Sequence, residues 1–239
     1  GRDLIFPHHE NEIAQTEALT GKRFAKYWIH NGLIKVNGQK MSKSLGNSLL
    51  LADLLAEYSP ETIKFALLQT NYRGDINVTD NLFPEAEKHL YGFYKVMADA
   101  KRAGAALDGT DAALDAEFDA AMDDDFNTAK ALADLFGIFK RAAAMLREGD
   151  AAGANNLLGQ VKKTYGLLGL FRSEPEDFIA RCDAKHRSSV PEDIAELVKK
   201  RAEAKAAKDW ATADAIRAEI TAKGWSVKDT KDGAVVEKL

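Results

Sequence analysis

The sequence predicts a mainly α protein: a mixed α/β region over residues 1–50, a helical bundle over 51–170, and a small α+β domain over 190–239. Three patterns support this order. Short apolar runs between Gly and Asn residues occupy the first zone, long stretches with helical apolar spacing fill the second, and two charged helical stretches precede a hairpin pattern in the third. Residues 171–189 are polar and interrupted by Pro175, which indicates a linker.

The first zone opens with a helix after Pro7, because Glu10 and Glu12 place acidic groups in a first turn. The apolar residues within 28–36, followed by Asn37-Gly38, predict a short hairpin that leads into a polar loop. These elements carry the residues with the most distinctive chemistry.

The second zone begins with a helix start, in which Ser59 caps the helix and Pro60 occupies its first position. Amphipathic spacing predicts three further helices, over 81–102, 126–147 and 155–168. We interpret their apolar stripes, which include Phe126 and Phe136, as core.

The third zone begins where Pro191-Glu192 opens a charged helix that runs to about Lys205. A second helix extends from about Trp210 to Ala222, and Gly224 ends it. Alternating residues over 225–236 then predict a small hairpin.

Composition restricts the class of protein. The 239 residues are 46% hydrophobic and 29% charged, which excludes disordered and low-complexity chains. The net charge of −4 gives no overall basic field, although a local basic face suffices for phosphate contacts. A single cysteine, Cys182, excludes an internal disulfide and favours the reducing cytoplasm. We expect no membrane span and no signal peptide, and Gly1 predicts a piece of a longer protein.

The most informative motif is a five-residue loop that follows the first hairpin. Two lysines on flexible stems can meet the oxygens of a departing pyrophosphate, and charge stabilisation of that kind raises a reaction rate. Gly38 and Gly46 bracket the loop and would permit closure. From composition alone, a solvated basic loop is the alternative. The motif consists of Lys40, Met41, Ser42, Lys43 and Ser44.

A second motif places His8 and Glu12 four residues apart, so that on a helix they project from one face and can share a metal ion. An exposed helix start explains the same spacing. Two ligands do not complete a structural zinc site, which takes four.

Taken together, these motifs resemble the cysteinyl-tRNA synthetase family. The motif of residues 40–44 is the KMSKS signature of class I aminoacyl-tRNA synthetases, without a substitution. The resemblance covers essentially the whole chain. It is carried by residues 6–15, 28–32, 40–47, 72–73, 122–128 and 207–217.

The resemblance implies that residues 1–50 are a remnant of an α/β Rossmann-type catalytic domain. In the family, two cysteines, a His and a Glu hold a zinc ion that binds the substrate thiolate, and His8 and Glu12 match the last two ligands. Lys43 would be the principal residue for ATP, supplied with magnesium, and Lys40 would assist. Met41, Ser42 and Ser44 would shape the loop.

The resemblance also implies that residues 51–170 contact the tRNA stem and that 190–239 bind the anticodon of tRNA(Cys). Trp210, Asp214 and Asp229 match the family's anticodon readers, and Lys205 stands at a fourth such position, where the family more commonly has Arg. An aromatic face can stack an unpaired base, and carboxylates can accept from exocyclic amines. Trp210 would alternatively pin two helices together.

The predicted function is that of a cytoplasmic, monomeric cysteine–tRNA ligase with cysteine, ATP and tRNA(Cys) as partners. The chain lacks the HIGH signature and both zinc cysteines, so we expect it to be inactive alone. Two alternatives stay open: a non-catalytic tRNA-binding module, and the cysteine ligase of mycothiol biosynthesis. The domain that carries Trp210 favours the tRNA enzyme over the mycothiol enzyme.

Overall fold

The structure is a computed structural model that describes residues 1–41, 49–230 and 233–238. It contains two compact units, Gly1–Ile179 and Ala180–Leu239. The predicted mainly α class is confirmed, since helices account for most of the described residues. These helices are α1 Glu10–Thr20, α2 Leu51–Glu57, α3 Pro60–Leu68, α4 Leu82–Arg102, α5 Ala112–Asp123, α6 Thr128–Arg147, α7 Ala151–Tyr165, α8 Pro175–Ser189, α9 Glu192–Ala206 and α10 Trp210–Ala222.

The first unit contains a three-stranded sheet of order β2-β1-β3, where β1 is Ile34–Val36, β2 is Gln39–Lys40 and β3 is Ile76–Val78. Strands β1 and β2 are antiparallel, and β1 and β3 are parallel. Asn37 and Gly38 both have positive φ in the turn between β1 and β2, the conformation that this dipeptide favours. The hairpin is therefore present, but its first strand is shorter than predicted because residues 28–33 form no regular structure.

Helices α3 to α7 enclose an aromatic core in the first unit. Phe93 stacks on Phe139 with ring centroids 4.4 Å apart, and Phe171 contacts both rings. Two members of the predicted apolar stripe are not buried: Phe126 is 54% exposed, and Phe136, 46% exposed, packs on Phe93 at the edge of the core with ring centroids 5.2 Å apart. Phe126 precedes the helix rather than belonging to it, so helical periodicity does not apply to it.

A buried carboxylate joins α3 to the chain after α7. Glu61, in the first turn of α3, accepts hydrogen bonds from the Tyr94 hydroxyl at 2.5 Å and from the backbone N–H groups of Arg172 and Ser173. The Ser59 hydroxyl accepts from the Thr62 N–H at 3.0 Å, as the predicted helix cap requires. Side-chain acceptors thus fix both the start of α3 and the backbone of the segment that follows α7.

Most of the segment predicted as a linker, residues 171–189, is helix α8. Pro175 starts the helix, and Glu176 and Asp177 in its first turn complement the helix dipole. Phe178 is buried and stacks on Tyr94 at 4.2 Å. The polar composition therefore gave no sign of this helix, which the buried Phe178 attaches to the core of the first unit. The boundary between the two units falls within α8.

The second unit pairs α9 with α10 and adds an antiparallel hairpin of β4 Trp225–Thr230 and β5 Gly233–Lys238. Its core is small and aliphatic. The buried members are Ile194, Ala213, Ile220, Val227 and Val236. Across the ranges that the structure describes, none of the helices has both the length and the apolar character needed to cross a bilayer.

Candidate functional sites

The two predicted metal ligands lie together at the start of α1. His8 Nε2 is 3.3 Å from Glu12 Oε1, and both side chains are exposed. Two ligands bound to one tetrahedral zinc at about 2.0–2.1 Å are separated by about 3.3 Å, so this pair fits two corners of such a site. The same separation also serves a direct ion pair when His8 is protonated.

A full ligand set is not assembled around this pair. Among the described residues, no group of three or more His, Cys, Asp and Glu side chains is arranged to hold a metal ion. Cys182, half-buried in α8, belongs to the second unit. The arrangement therefore supplies two donors of the four that a closed zinc site needs.

Next to this pair lies an aromatic cluster that the sequence analysis did not identify. His9 Nδ1 and His30 Nε2 share a hydrogen bond of 2.9 Å, and the His30 ring is stacked on Trp28 at 5.8 Å. His8 contacts His9 edge to face. The spacing of Trp28 and His30, two residues apart in a segment predicted to be a strand, was the available signal, since alternate residues of a strand face the same side.

Lys40, the first residue of the predicted ATP-binding loop, ends strand β2. Its Nζ is 3.9 Å from Asp3 Oδ2, and its side chain is largely exposed. The backbone N–H of Met41 donates to the Ile34 carbonyl at 3.2 Å, so β1 supports the loop where it leaves the sheet. Ser42, Lys43 and Ser44 lie outside the described residues.

The sheet that carries Lys40 is held from its other edge by a close backbone approach. The Gly32 N–H donates to the Tyr72 carbonyl at 2.7 Å, and a Cβ on Gly32 would lie 1.9 Å from the Gly74 carbonyl oxygen. Only glycine fits at position 32 without displacing this backbone. This close approach holds the residues that precede β1 against the residues that precede β3.

Asp75, which directly precedes β3, adds a hydrogen bond and two ion pairs at the same edge of the sheet. Its carboxylate accepts the Leu33 N–H at 3.0 Å and pairs with Arg2 and Lys35 at 2.8 and 2.9 Å. The Leu33 hydrogen bond, followed by that of Lys35, lowers the pKa of Asp75. The carboxylate stays ionised and ties β1 to the segment before β3.

A second cluster joins the Tyr72-Arg73 segment to the loop between α5 and α6. Arg73 Nε and Nη2 donate to the Asp125 carboxylate at 2.6 and 3.0 Å, and the Tyr72 hydroxyl donates to it at 2.7 Å. Arg73, with a smaller contribution from Tyr72, lowers the pKa of Asp125 to about 2. Asp125 and Phe126 both have φ of +54°, a conformation that costs free energy in residues other than glycine. The ion pair helps to hold this strained turn.

In the second unit, the structure brings together two of the four predicted anticodon residues. Lys205 Nζ lies 2.8 Å from Asp229 Oδ2. Arg201, which the sequence suggests only as one of several basic residues on α9 that would attract phosphate, donates from Nη1 and Nη2 to both oxygens of Asp229, at 2.9 and 3.0 Å. Asp229 therefore accepts from two cations, and Arg201 is the first cause of its strongly lowered pKa.

Trp210 and Asp214 lie on α10. Trp210 is the first residue of the helix and is 59% exposed, and Asp209 caps the helix by accepting the Thr212 N–H at 3.1 Å. Asp214 is exposed one helical turn beyond Trp210. This exposure favours base stacking over the alternative that Trp210 pins two helices.

Comparison with protein families matches three successive parts of the chain. Residues 1–88 match the tRNA synthetases class I (C) catalytic domain, so the sheet, the His8–Glu12 pair and the signature loop belong to a class I tRNA synthetase. Residues 117–172 match the DALR domain. Residues 187–236 match the cysteinyl-tRNA ligase anticodon binding domain.

Curated relatives extend the match to nearly the whole chain. A cysteine–tRNA ligase of Pseudomonas aeruginosa (strain LESB58) is 44% identical over 234 residues, which is 98% of this chain and 49% of the relative. Those of Azotobacter vinelandii and Geobacter metallireducens are 42% and 40% identical over 98% of this chain, and over 49% and 52% of their own lengths. The chain belongs to the cysteinyl-tRNA synthetase family and corresponds to its C-terminal portion. It spans about half the length of these relatives, and the predicted resemblance is confirmed.

Proposed function

We propose that this chain is the part of a cysteine–tRNA ligase that carries the signature loop, the bundle and the anticodon-binding domain. The intact enzyme uses ATP to activate cysteine and transfers the cysteine to tRNA(Cys). The observation that carries the proposal is the uninterrupted sequence Lys40–Ser44 directly after β2, in a chain where three domain matches follow one another in the family's order. The alternatives of a mycothiol-pathway ligase and a non-catalytic module are not favoured by these matches.

In this proposal, Lys43 and Lys40 stabilise the negative charge that develops on the pyrophosphate leaving group, with magnesium accompanying ATP. Lys40 ends β2 with a largely exposed side chain, and its Nζ lies 3.9 Å from Asp3 Oδ2. Met41, Ser42 and Ser44 shape the loop. A lysine serves this role because its ammonium is a point charge that can follow a closing loop.

His8 and Glu12 are the residues of this chain that would hold a zinc ion, together with two ligands from the rest of the enzyme. Their 3.3 Å separation fits adjacent ligands of a tetrahedral site. When bound, zinc supplies a soft Lewis acid that prefers a thiolate to a hydroxyl, which would select cysteine over serine. The exposed His8 and Glu12 side chains leave their donor atoms accessible.

The second unit would read the anticodon of tRNA(Cys). Trp210 offers an exposed aromatic face for stacking, while Lys205, Asp214 and Asp229 offer charge and hydrogen-bonding groups. We further propose that the enzyme is monomeric and cytoplasmic.

Two experiments test this function. In the intact enzyme, Lys43→Ala should slow cysteine-dependent pyrophosphate exchange about a hundredfold, because one contact to developing charge contributes about 3 kcal/mol. Lys22→Ala, an exposed lysine beyond α1, serves as the matched control and should leave the rate unchanged. An unchanged rate in Lys43→Ala would remove Lys43 from the mechanism.

For tRNA, this chain should bind a transcript with a GCA anticodon more tightly than transcripts with one anticodon base changed. Trp210→Ala should weaken binding of the GCA transcript about tenfold. Equal affinities of the unmodified chain for all transcripts would contradict anticodon reading by the second unit.

A further inference from the structure

Arg201 is a buried cation that holds an exposed carboxylate. Its side chain is only 8% exposed, whereas that of Asp229 is 48% exposed. Both terminal nitrogens of Arg201 donate to Asp229, one to each oxygen, at 2.9 and 3.0 Å. A bidentate guanidinium fixes both the position and the plane of the carboxylate it binds.

Packing alone does not account for this burial. Removing a guanidinium from water is costly, and an apolar side chain of similar volume is often equally stabilising in such a position. The cost is visible in the structure, since Arg201 Nε is buried without a hydrogen-bond partner in the described residues. The aliphatic core of the same unit already joins α9, α10 and the hairpin. The ion pair therefore points to a role in orientation.

The neighbouring charges are consistent with that role. Lys205, one turn after Arg201 on α9, contacts Asp229 Oδ2 at 2.8 Å but is only a single donor on a flexible stem. The hydrogen bonds to Asp229, with a smaller electrostatic contribution from Asp214 on α10, raise the pKa of Arg201. Arg201 is thus buried, while Asp214 and Asp229, the two carboxylates that act on it, are exposed.

We propose that Arg201 is a positioning residue for nucleobase recognition. It orients Asp229 so that its carboxylate accepts a hydrogen bond from the exocyclic amine of one unpaired anticodon base. The ligand class is an amine-bearing nucleobase, and Arg201 itself does not contact it. The inference rests on the proposed function of the second unit.

The test uses the whole chain and tRNAs in which each anticodon base in turn loses only its exocyclic amine: hypoxanthine (inosine) for G, 2-pyrimidinone for C, purine for A. The unmodified chain should bind at least one amine-free transcript about tenfold more weakly than the GCA transcript. Arg201→Lys keeps the charge but cannot donate two parallel hydrogen bonds to Asp229, so it should reduce the ratio of the two affinities to near one. The salt dependence of binding should not change, because the number of phosphate contacts is the same.

Lys223→Met is the matched control, since it breaks an ion pair of 2.7 Å with Asp193 in the same unit. It should leave the discrimination ratio unchanged. Combining Arg201→Lys with Asp229→Asn should produce no further loss beyond Asp229→Asn alone, since both changes act on one interaction. If Arg201→Lys does not fold, Arg201→Gln, an uncharged donor suited to a buried position, replaces it.

The outcomes separate the two proposals. A folded Arg201 variant that retains full discrimination overturns the positioning role while leaving anticodon reading intact. Discrimination by the unmodified chain against changed bases, but not against any amine-free base, also overturns the positioning role. An unmodified chain that does not distinguish any anticodon contradicts the proposed function itself.

Discussion

Replacing Tyr94 with Phe should destabilise the first unit by about 2 kcal/mol, because it removes a hydrogen bond to a buried carboxylate. The Tyr94 hydroxyl donates to Glu61 at 2.5 Å, and the side chain is fully buried. Burial, followed by the hydrogen bond to Glu61, raises the pKa of Tyr94, so the hydroxyl remains a donor at neutral pH. Hydrogen bonds to charged groups contribute about 1.5–3 kcal/mol, against about 1 kcal/mol for neutral pairs.

Tyr165→Phe provides the comparison, since Tyr165 is equally buried but donates to the neutral Ala131 carbonyl at 2.8 Å. Both variants remove one hydroxyl from the same core, so the difference in their costs isolates the charge of the acceptor. Hydrogen exchange of α4 amides in the intact chain measures the unfolding free energy of this unit without contributions from the second one. A Tyr94→Phe cost equal to or below that of Tyr165→Phe would refute the reasoning.

Three further predictions concern pH, metal and helix capping. Because Arg73 lowers the folded-state pKa of Asp125 to about 2, below the usual value of about 3.9, this ion pair stabilises the fold above pH 4 and is lost as pH falls through 2. In the variant Asp125→Asn, whose new side chain tolerates the positive φ, the midpoint of urea unfolding should therefore change less between pH 4 and pH 2 than it does in the unmodified chain. The purified chain should not retain stoichiometric zinc, since His8 and Glu12 would supply only two of the four ligands of the proposed site; elemental analysis that finds one zinc per chain would contradict this. Ser59→Ala should cost about 1 kcal/mol by hydrogen exchange of α3, and Ser59→Thr should restore most of it.

Local signals predicted helices α3, α4, α6 and α7 because each signal acts within one turn, whereas α2 and α5 were not predicted. Ser59 and Pro60 start α3 through a cap and a fixed φ, and neither depends on the rest of the fold. The contacts that define α8 and β3 are not local. Phe178 is buried by Tyr94, 84 positions earlier, and β3 pairs with β1 about 42 residues away. Polar composition therefore suggested a linker at α8, and nothing near β3 identified its partner.

The same distinction separates the functional residues. His8 and Glu12 are four residues apart, and helical spacing alone brought them together. Arg201 stands next to two lysines in a basic run that the sequence offers as phosphate-binding charge. Its burial follows from Asp229, which is 28 residues away on the hairpin. A buried ion pair between distant elements leaves no periodic signal in one sequence.

The packing of the first unit is uneven, and this affects how its first 57 residues are attached to the helical bundle. No described residue before Tyr58 is buried, so the segment that carries His8, Glu12 and Lys40 has no apolar core of its own. Its attachment consists of backbone hydrogen bonds at Gly32, the β1–β3 pairing and the ion pairs of Asp75. Such contacts are directional but exposed, and salt screens the ionic ones. The position of His8, Glu12 and Lys40 therefore depends on polar contacts, whereas the helical bundle depends on buried apolar surface.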